Sequence, residues 1–177
     1  MRTLEASTSL LLLVDFQTRL MPAIEDGAVA VENARRLLVA ATLLGVPKIF
    51  TEQNPEKLGS TVSELHAAPN PVVAKMTFDA LRAPNFPLDA LADRAVVVAG
   101  CEAHVCVLQT VLSALDQNRR VFVVADATGS RTRDNKQAAL SRMERRGAEI
   151  VTTEMVLFEW LGASTHPHFR DIAKLIR

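Results

Sequence analysis

The feature that most constrains the fold of this chain is the alternation of short apolar runs with segments of helical periodicity. The apolar runs are rich in Val, Leu and Ile, which is typical of strands that are buried on both faces. Most runs are followed by a helical pattern, and this order indicates βαβ units and a mainly parallel sheet. The runs cover residues 9–15, 47–51, 71–75, 95–100, 121–125 and 149–151.

The helical segments carry apolar residues that recur every three or four positions. In the first, over residues 27–44, Ala34, Leu37 and Leu38 fall on one stripe, and Gly45 stands where a helix commonly ends. Further helices are predicted at residues 105–115, 134–146, 155–161 and 168–176. The strands and helices together predict an α/β fold, a three-layer α/β/α sandwich with a mainly parallel, about six-stranded central sheet wound in the Rossmann-like manner.

Length and charge limit the domain count and the classes of partner. A chain of 177 residues, 49% of them hydrophobic, suits a single domain over residues 1–177. Lys plus Arg and Asp plus Glu both number 20, so the formal net charge is zero. A nucleic-acid or anionic-membrane partner would favour a basic excess. We therefore expect no nucleic-acid partner and no membrane partner.

The location of the protein is inferred from two further features of the sequence. No apolar run approaches the roughly 20 residues needed to cross a bilayer. The run SLLLLVDF lacks the positively charged segment and small-residue cleavage site of a signal peptide. The two cysteines, Cys101 and Cys106, do not make a disulfide framework. A cytoplasmic location is the simplest expectation.

Three residues with reactive or charged side chains stand at or just after the ends of predicted strands. Asp15 ends the first strand, Lys75 ends the third, and Cys106 lies shortly after the fourth. In a parallel sheet the carboxyl ends of the strands share one edge, where ligand sites form. We therefore expect these three side chains to lie close together.

Their chemistry suggests a nucleophilic site. A cation and a helix N-terminus both favour the thiolate, so Lys75 is expected to lower the pKa of Cys106. Asp15 would accept the thiol proton and pass it to a leaving amine. Each residue also has an ordinary interpretation: a strand-end cap for Asp15, a solvated side chain for Lys75 and a small core residue for Cys106.

Three segments carry a resemblance to a known family. LLLVDFQTRLM, KMTFDAL and VVVAGCEAHVCVLQTVLSAL resemble, in order and spacing, three motifs of the isochorismatase-like cysteine hydrolase family. The segments TEQNPEKLGSTVSEL, VADATGSR and VTTEMVLFEWLG are similar to a branch of small isochorismatase-domain-containing proteins. The resemblance extends from about residue 10 to residue 177.

The resemblance implies a specific site. It implies Asp15, Lys75 and Cys106 as a catalytic triad, with Cys106 as the nucleophile. It also implies a non-proline cis peptide between Cys101 and Glu102, and an oxyanion hole made by the backbone N–H groups of Glu102 and Cys106. A retained cysteine favours hydrolysis of a small amide or imide C–N bond through a thioester, that is, an amidohydrolase acting on bonds other than peptide bonds.

The resemblance is imperfect where one branch of the family carries zinc. That branch has an Asp-x-His motif after the second strand, whereas this chain reads Thr51, Glu52, Gln53, Asn54 and has no His there. Cys101, His104 and Cys106 supply only three ligands in a spacing that matches no zinc pattern. We therefore expect no metal and no organic cofactor. Cys101 is interpreted as a packing residue and His104 as a surface or supporting residue.

The substrate pocket is expected to be lined by residues that follow the first and third strands. The candidates are Phe16, Gln17, Phe78 and Asp79, although the aromatic ones fit a core equally well. The last strand-end carboxylate, Asp126, suits capping better than the pocket.

The sequence leaves the identity of the substrate and the exact function open. A small-molecule hydrolase is the favoured interpretation. Two alternatives are a redox-responsive thiol protein, in which Cys101 resolves an oxidised Cys106, and a non-catalytic binding or scaffold module. The family resemblance, with the aromatic tail residues Phe158 and Trp160, predicts a homo-oligomer, a dimer or larger.

Overall fold

The computed structural model describes residues 3–65 and 70–176, and its described part is built on six strands in one sheet. All neighbouring strands are parallel, and their order is β3-β2-β1-β4-β5-β6. The sheet confirms the predicted fold class. The strands are β1 Ser9–Val14, β2 Lys48–Gln53, β3 Val72–Lys75, β4 Ala95–Cys101, β5 Val121–Gly129 and β6 Glu149–Val151.

The helices differ from the predicted segments mainly in how they begin and end. A π-helical turn at Ala103–Val107 precedes the helix that was predicted to begin at residue 105. Residues 168–176 form a short helix followed by a 3₁₀ turn at Lys174–Ile176. The α-helices are α1 Gly27–Leu43, α2 Pro55–Leu58, α3 Leu108–Asp116, α4 Arg133–Arg145, α5 Thr153–Leu161 and α6 Phe169–Ala173.

Helices cover both faces of the sheet because every central strand is apolar on both sides. One buried layer joins the sheet to α1, α5 and α6, and includes Leu37 and Trp160. The other joins it to α3 and α4, and includes Val111 and Met143. The result is the three-layer α/β/α sandwich that the sequence predicts.

The junction between β4 and β5 is less regular than the sequence suggests. Val98 pairs with Val123, but two residues later Gly100 pairs with Thr128, so β5 carries extra residues and runs beyond its predicted end. Gly100 has a φ of +149°, and a Cβ built on it would lie 2.2 Å from the carbonyl oxygen of Val14. A glycine is therefore needed where β4 passes closest to β1.

The aromatic tail is more buried than the sequence indicates. Trp160, predicted to contribute to an exposed aromatic surface, is 4% exposed, and its Nε1 donates a hydrogen bond of 3.0 Å to Oγ of Ser9. Phe158 is 40% exposed and lies against Phe169. The difference arises because α5 packs against α1 and the start of β1.

The strand order places a crevice at one edge of the sheet. The chain moves outward from β1 through β2 to β3, then returns to the other side of β1 with β4. In open α/β sheets, the carboxyl ends of two such central strands are where ligands bind. Among the described residues, no helix has the length and apolar character that a membrane crossing requires.

Candidate active site

The three predicted residues meet at the carboxyl ends of the strands. Asp15 follows β1 directly, Lys75 is the last residue of β3, and Cys106 lies in the π-helical turn after β4. Lys75 reaches across β2, and its Nζ lies 2.7 Å from Oδ2 of Asp15. Both Asp15 and Lys75 lie close enough to the thiol of Cys106 to act on its pKa.

The Asp15–Lys75 ion pair is closed off from solvent. Neither side chain has any exposed surface, and Cys106 as a whole is 6% exposed. Asp15 has a φ of +53°, a left-handed conformation that Asp and Asn adopt more readily than most residues. The backbone at this position therefore turns its carboxylate away from the strand direction and toward β2.

Two residues of β2 also form hydrogen bonds with the pair, and the sequence interpretation missed both. Thr51 donates from Oγ1 to Oδ1 of Asp15 at 2.5 Å, so both carboxylate oxygens have a partner. Gln53 accepts a hydrogen bond of 2.8 Å at Oε1 from Nζ of Lys75. The available signal was their position at the carboxyl end of the strand between those that carry Asp15 and Lys75.

The ammonium of Lys75 is surrounded by oxygen acceptors. Besides Asp15 and Gln53, it lies 3.3 Å from the carbonyl oxygens of both Thr77 and Phe78. The segment after β3 therefore turns back over the Lys75 side chain. This turn fixes the position of the ammonium and also brings Phe78 beside the site.

The resting state of the thiol differs from the sequence expectation. Burial and, after it, the nearby negative charge of Asp15 together raise the pKa of Cys106 to about 12, and the opposing effect of Lys75 is smaller than that of Asp15. The prediction that Lys75 lowers the thiol pKa below its ordinary value is therefore wrong for the resting protein. The physical reason is that the ammonium is already paired with Asp15, so its effect does not overcome the desolvation of the thiolate.

The turn between β4 and Cys106 contains one feature that the resemblance implies. The peptide bond between Cys101 and Glu102 is cis, as expected. The carbonyl oxygen of Glu102 accepts hydrogen bonds from the backbone N–H groups of Val105 and Val107. The Glu102 side chain accepts from Nε of Arg131 at 2.9 Å, which ties the turn to the start of α4.

The remaining reactive side chains near the turn have supporting positions. Cys101 is fully buried, and burial raises the pKa of its thiol to about 12, in agreement with its interpretation as a packing residue. Nδ1 of His104 lies 3.1 Å from Oγ of Ser130. Asp126 accepts from both the backbone N–H and the hydroxyl of Thr153, at 2.8 and 2.9 Å, which is the capping role expected for it.

The four pocket candidates divide into two pairs. Phe16 is 1% exposed and lies within the core, so its side chain does not face solvent. The Gln17 amide is occupied by backbone groups: its Nε2 donates to Gln53 and Gly59, and its Oε1 accepts from Gln53 N–H. These contacts place Phe16 and Gln17 beneath the site as supports.

The second pair lies at a surface cavity next to the site. Phe78 is 49% exposed, whereas Asp79 is mostly buried and accepts a hydrogen bond of 2.9 Å from the backbone N–H of Leu81. Both residues line a cavity of about 380 Å³, together with Arg82 and, one turn after Cys106, Gln109. Asp15, Lys75 and Cys106 are not among the described residues that line this cavity, so the pocket role of Phe78 and Asp79 stays a prediction.

Metal ligands are not assembled in the described part of the chain. No group of three or more His, Cys, Asp and Glu side chains is arranged there to hold a metal ion. The expectation of no metal and no cofactor stays a prediction.

The fold and the cluster of Asp15, Lys75 and Cys106 at the carboxyl ends of the strands define a class of Rossmann-like α/β proteins with a buried Asp–Lys–Cys site. Comparison with known proteins identifies the family within that class. The model of the isochorismatase domain matches residues 9–155. This chain belongs to the isochorismatase family, a family of hydrolase-like proteins.

Several known proteins are similar over nearly the whole chain. Isochorismatase domain-containing protein 2 of Bos taurus is 39% identical over 171 residues, covering 96% of this chain and 83% of its own. The structure of MAR1 ribonuclease from Caenorhabditis elegans has a TM-score of 0.92 and 35% identity, covering 98% of this chain and 92% of its own. YcaC from Pseudomonas aeruginosa, solved with hexane-2,5-diol and covalent acrylamide, has a TM-score of 0.86 and 25% identity, covering 99% and 96%.

Proposed function

We propose that this protein is a cysteine hydrolase that cleaves the C–N bond of a small amide or imide through a thioester. Cys106 is the nucleophile, Asp15 the general base and then acid, and Lys75 the group that orients Asp15 and balances its charge. The single observation that carries the proposal is the fully buried ion pair between Asp15 and Lys75, 2.7 Å long, beside a cysteine thiol.

The first step begins from a neutral thiol. Because the pKa of Cys106 is raised to about 12, the thiol keeps its proton until substrate binds. The sulfur then attacks the substrate carbonyl carbon while its proton moves to the carboxylate of Asp15, so a C–S bond forms as the S–H bond breaks. A base beside the thiol thus replaces a lowered thiol pKa as the means of activation.

The intermediate carries a negative oxygen that needs hydrogen-bond donors. We assign this role to the backbone N–H groups of Glu102 and Cys106, at the turn between β4 and α3. Collapse of the intermediate breaks the C–N bond, and Asp15 returns the proton to the leaving nitrogen. The product of this half-reaction is a thioester on Cys106 and a free amine or ammonia.

Water then hydrolyses the thioester on Cys106. Asp15, again a carboxylate, takes a proton from a water molecule that attacks the thioester carbon. The C–S bond breaks, the acid leaves, and the proton returns to the sulfur. Throughout, Lys75 keeps its contacts to Asp15 and Gln53, and these hold the carboxylate in line with the sulfur.

The experiment is a screen of small amides and imides for release of ammonia or amine by the full chain. Active substrates are then tested with Cys106→Ala, Asp15→Asn and Cys101→Ala. The first two variants are expected to lose turnover, and Cys101→Ala, a matched buried cysteine, is expected to keep it. Trapping of a substrate-derived mass on the peptide that contains Cys106 would identify the thioester. Turnover that survives in Cys106→Ala would refute the mechanism.

Two rival functions can be tested with the same protein. A redox-responsive role predicts a Cys101–Cys106 disulfide after mild peroxide treatment, detected by peptide mass spectrometry. A binding or scaffold role predicts ligand binding without turnover across the library. The pKa values of both thiols, raised to about 12, disfavour the redox role, because redox-sensing cysteines react as accessible thiolates.

RNA hydrolysis is a second candidate because a structural relative, 35% identical, is described as a ribonuclease. Small amides are preferred because the ion pair is closed from solvent and the chain has zero net charge. A fluorogenic single-stranded RNA, assayed beside the amides, tests this candidate. Cleavage that Cys106→Ala and Asp15→Asn abolish would replace the amide proposal.

We also propose a cytoplasmic protein that acts on a small molecule as a homo-oligomer and engages neither nucleic acid nor membrane. The balanced charge of 20 basic and 20 acidic residues supports the absence of a polyanionic partner. The exposed apolar side chains of Val72 and Met76, on β3 and just after it, support the oligomer.

A further inference from the structure

A second cavity lies at the opposite end of the sheet from the triad. Its volume is about 260 Å³, and its walls come from the segments that lead into β1, β4 and β5. Three arginines line it, Arg94, Arg119 and Arg120, and Asp93 is the only carboxylate among its lining residues. The cavity therefore carries an excess of positive charge although the chain as a whole has none.

Two of these arginines have a buried N–H donor for which the described residues supply no acceptor. The Nε atoms of Arg94 and Arg119 are inaccessible to solvent and make no hydrogen bond within residues 3–65 and 70–176. The Nε atom of Arg36 is also without a hydrogen bond, but it lies 3.3 Å from Oε1 of Glu32 and so has an ionic partner. Unpaired buried N–H donors are costly, so the guanidinium groups of Arg94 and Arg119 are held here without full hydrogen bonding from the described residues.

The third arginine adds charge in a fixed position. The guanidinium of Arg120 lies 5.2 Å from the ring centre of Phe122 and 3.8 Å from a carboxylate oxygen of Glu149. Stacking on an aromatic ring holds a guanidinium plane in one orientation. Arg120, which supplies part of the positive charge of the cavity, is therefore held against Phe122 of β5.

We propose that this arginine cavity binds a small tetrahedral oxyanion, either inorganic phosphate or the phosphate group of a small metabolite. Guanidinium groups bind phosphate oxygens through paired terminal N–H donors, and three arginines line this cavity. The cavity is smaller than the usual range for drug-sized ligands. The balanced net charge offers no extended basic track for a polynucleotide.

The test uses the full chain and measures binding of inorganic phosphate by calorimetry and by thermal unfolding. Sodium phosphate is compared with sodium chloride at equal ionic strength, because a specific ligand raises Tm by mass action and screening alone does not. Phosphate is expected to raise Tm in the wild type. Arg119→Gln is expected to weaken binding by about tenfold, since it removes a charged donor. Arg36→Gln, the matched control, is expected to bind as the wild type does.

Further arms separate the possible sources of the phosphate group and protect against a folding defect. A phosphorylated sugar and a short single-stranded RNA are titrated beside phosphate. Binding of the RNA without binding of phosphate would overturn the proposal, as would equal phosphate affinity in the wild type and Arg119→Gln. Arg94→Gln is the second variant, used if Arg119→Gln unfolds at a lower temperature in chloride. The cavity is remote from Cys106, so amide turnover should be unchanged in either variant.

Discussion

Nζ of Lys75 lies 2.7 Å from Oδ2 of Asp15, although the two residues are 60 positions apart and neither side chain has any exposed surface. An ion pair in such a place is rarely kept for stability, because desolvation of the two charges offsets much of their attraction. Under the proposed mechanism, its position beside Cys106 gives the pair a catalytic role. Variants of Asp15 and Lys75 separate that role from the contribution of the pair to folding.

Removal of one charge of the ion pair should lower the free energy of unfolding more than removal of both. Lys75→Met leaves the carboxylate of Asp15 buried without a cation, and we expect it to lower the free energy of unfolding by about 3–5 kcal/mol. Lys75→Met combined with Asp15→Asn leaves no charge and keeps an acceptor for Thr51, so most of that loss should be recovered. Urea denaturation of both variants and of Asp15→Asn measures the difference. A double variant as unstable as the sum of the single ones would contradict it.

The thiol should respond to the two charges in opposite directions. Because its pKa is raised to about 12, Cys106 of the wild type should react slowly with iodoacetamide at pH 8. Asp15→Asn removes a negative charge and should shift the alkylation profile to lower pH, whereas Lys75→Met should shift it to higher pH. Peptide mass spectrometry follows Cys106, with Cys101 as an internal reference. A wild-type alkylation profile that matches that of a free thiol would show that burial and Asp15 do not raise the pKa of Cys106.

Gln53 is predicted to matter for turnover more than for folding. Its side chain accepts from Lys75 and donates to the carbonyl of Met76 at 2.9 Å, so it positions the segment after β3. Gln53→Met should lower the free energy of unfolding by about 1 kcal/mol and reduce kcat with little change in KM. Gln137→Met, an exposed position on α4, serves as the control. Equal kcat and KM values for the two variants would show that Gln53 has no role in turnover.

A pair of buried threonines provides a stability test. The hydroxyl of Thr128 is buried and has no hydrogen-bond partner among the described residues, whereas the hydroxyl of Thr110 accepts a hydrogen bond of 2.9 Å from the backbone N–H of Ala80. Thr128→Val should leave the free energy of unfolding unchanged or raise it, while Thr110→Val should lower it by about 1–3 kcal/mol. Thermal and urea unfolding of both variants decide the matter. Comparable losses would mean that the Thr128 hydroxyl has a partner in solution.

The apolar edge of the sheet predicts self-association. Val72, Met76 and Phe78 are 53%, 71% and 49% exposed along β3 and the segment that follows it. A second copy of the chain would cover this surface, so light scattering should give a mass of at least twice 19.3 kDa. Met76→Asp should reduce the mass, whereas Val29→Asp, on the exposed face of α1, should not. A mass near that of one chain at all concentrations would rule out the oligomer.

The sequence by itself determined the layers of this protein and the edge of the sheet where chemistry is concentrated. Apolar runs such as β1 and β4 cannot remain stable in water without cover on both faces, so their alternation with amphipathic helices already dictated a parallel sheet between two helical layers. In such a sheet all strands end at the same edge. The positions of Asp15, Lys75 and Cys106 relative to the strands were therefore enough to predict that they share one edge.

Only the tertiary structure decided which partners those residues take. Strand order put β2 between β1 and β3, and so made Thr51 and Gln53 the neighbours of the ion pair. The sequence placed both residues at a strand end but did not say which strands would be adjacent. The same packing buried Trp160 and raised the pKa of Cys106 rather than lowering it. Desolvation and charge pairing depend on distances between groups remote in sequence. For that reason the sequence predicts the fold and the location of the site. The partners of the ion pair and the pKa of Cys106 follow only from the folded structure.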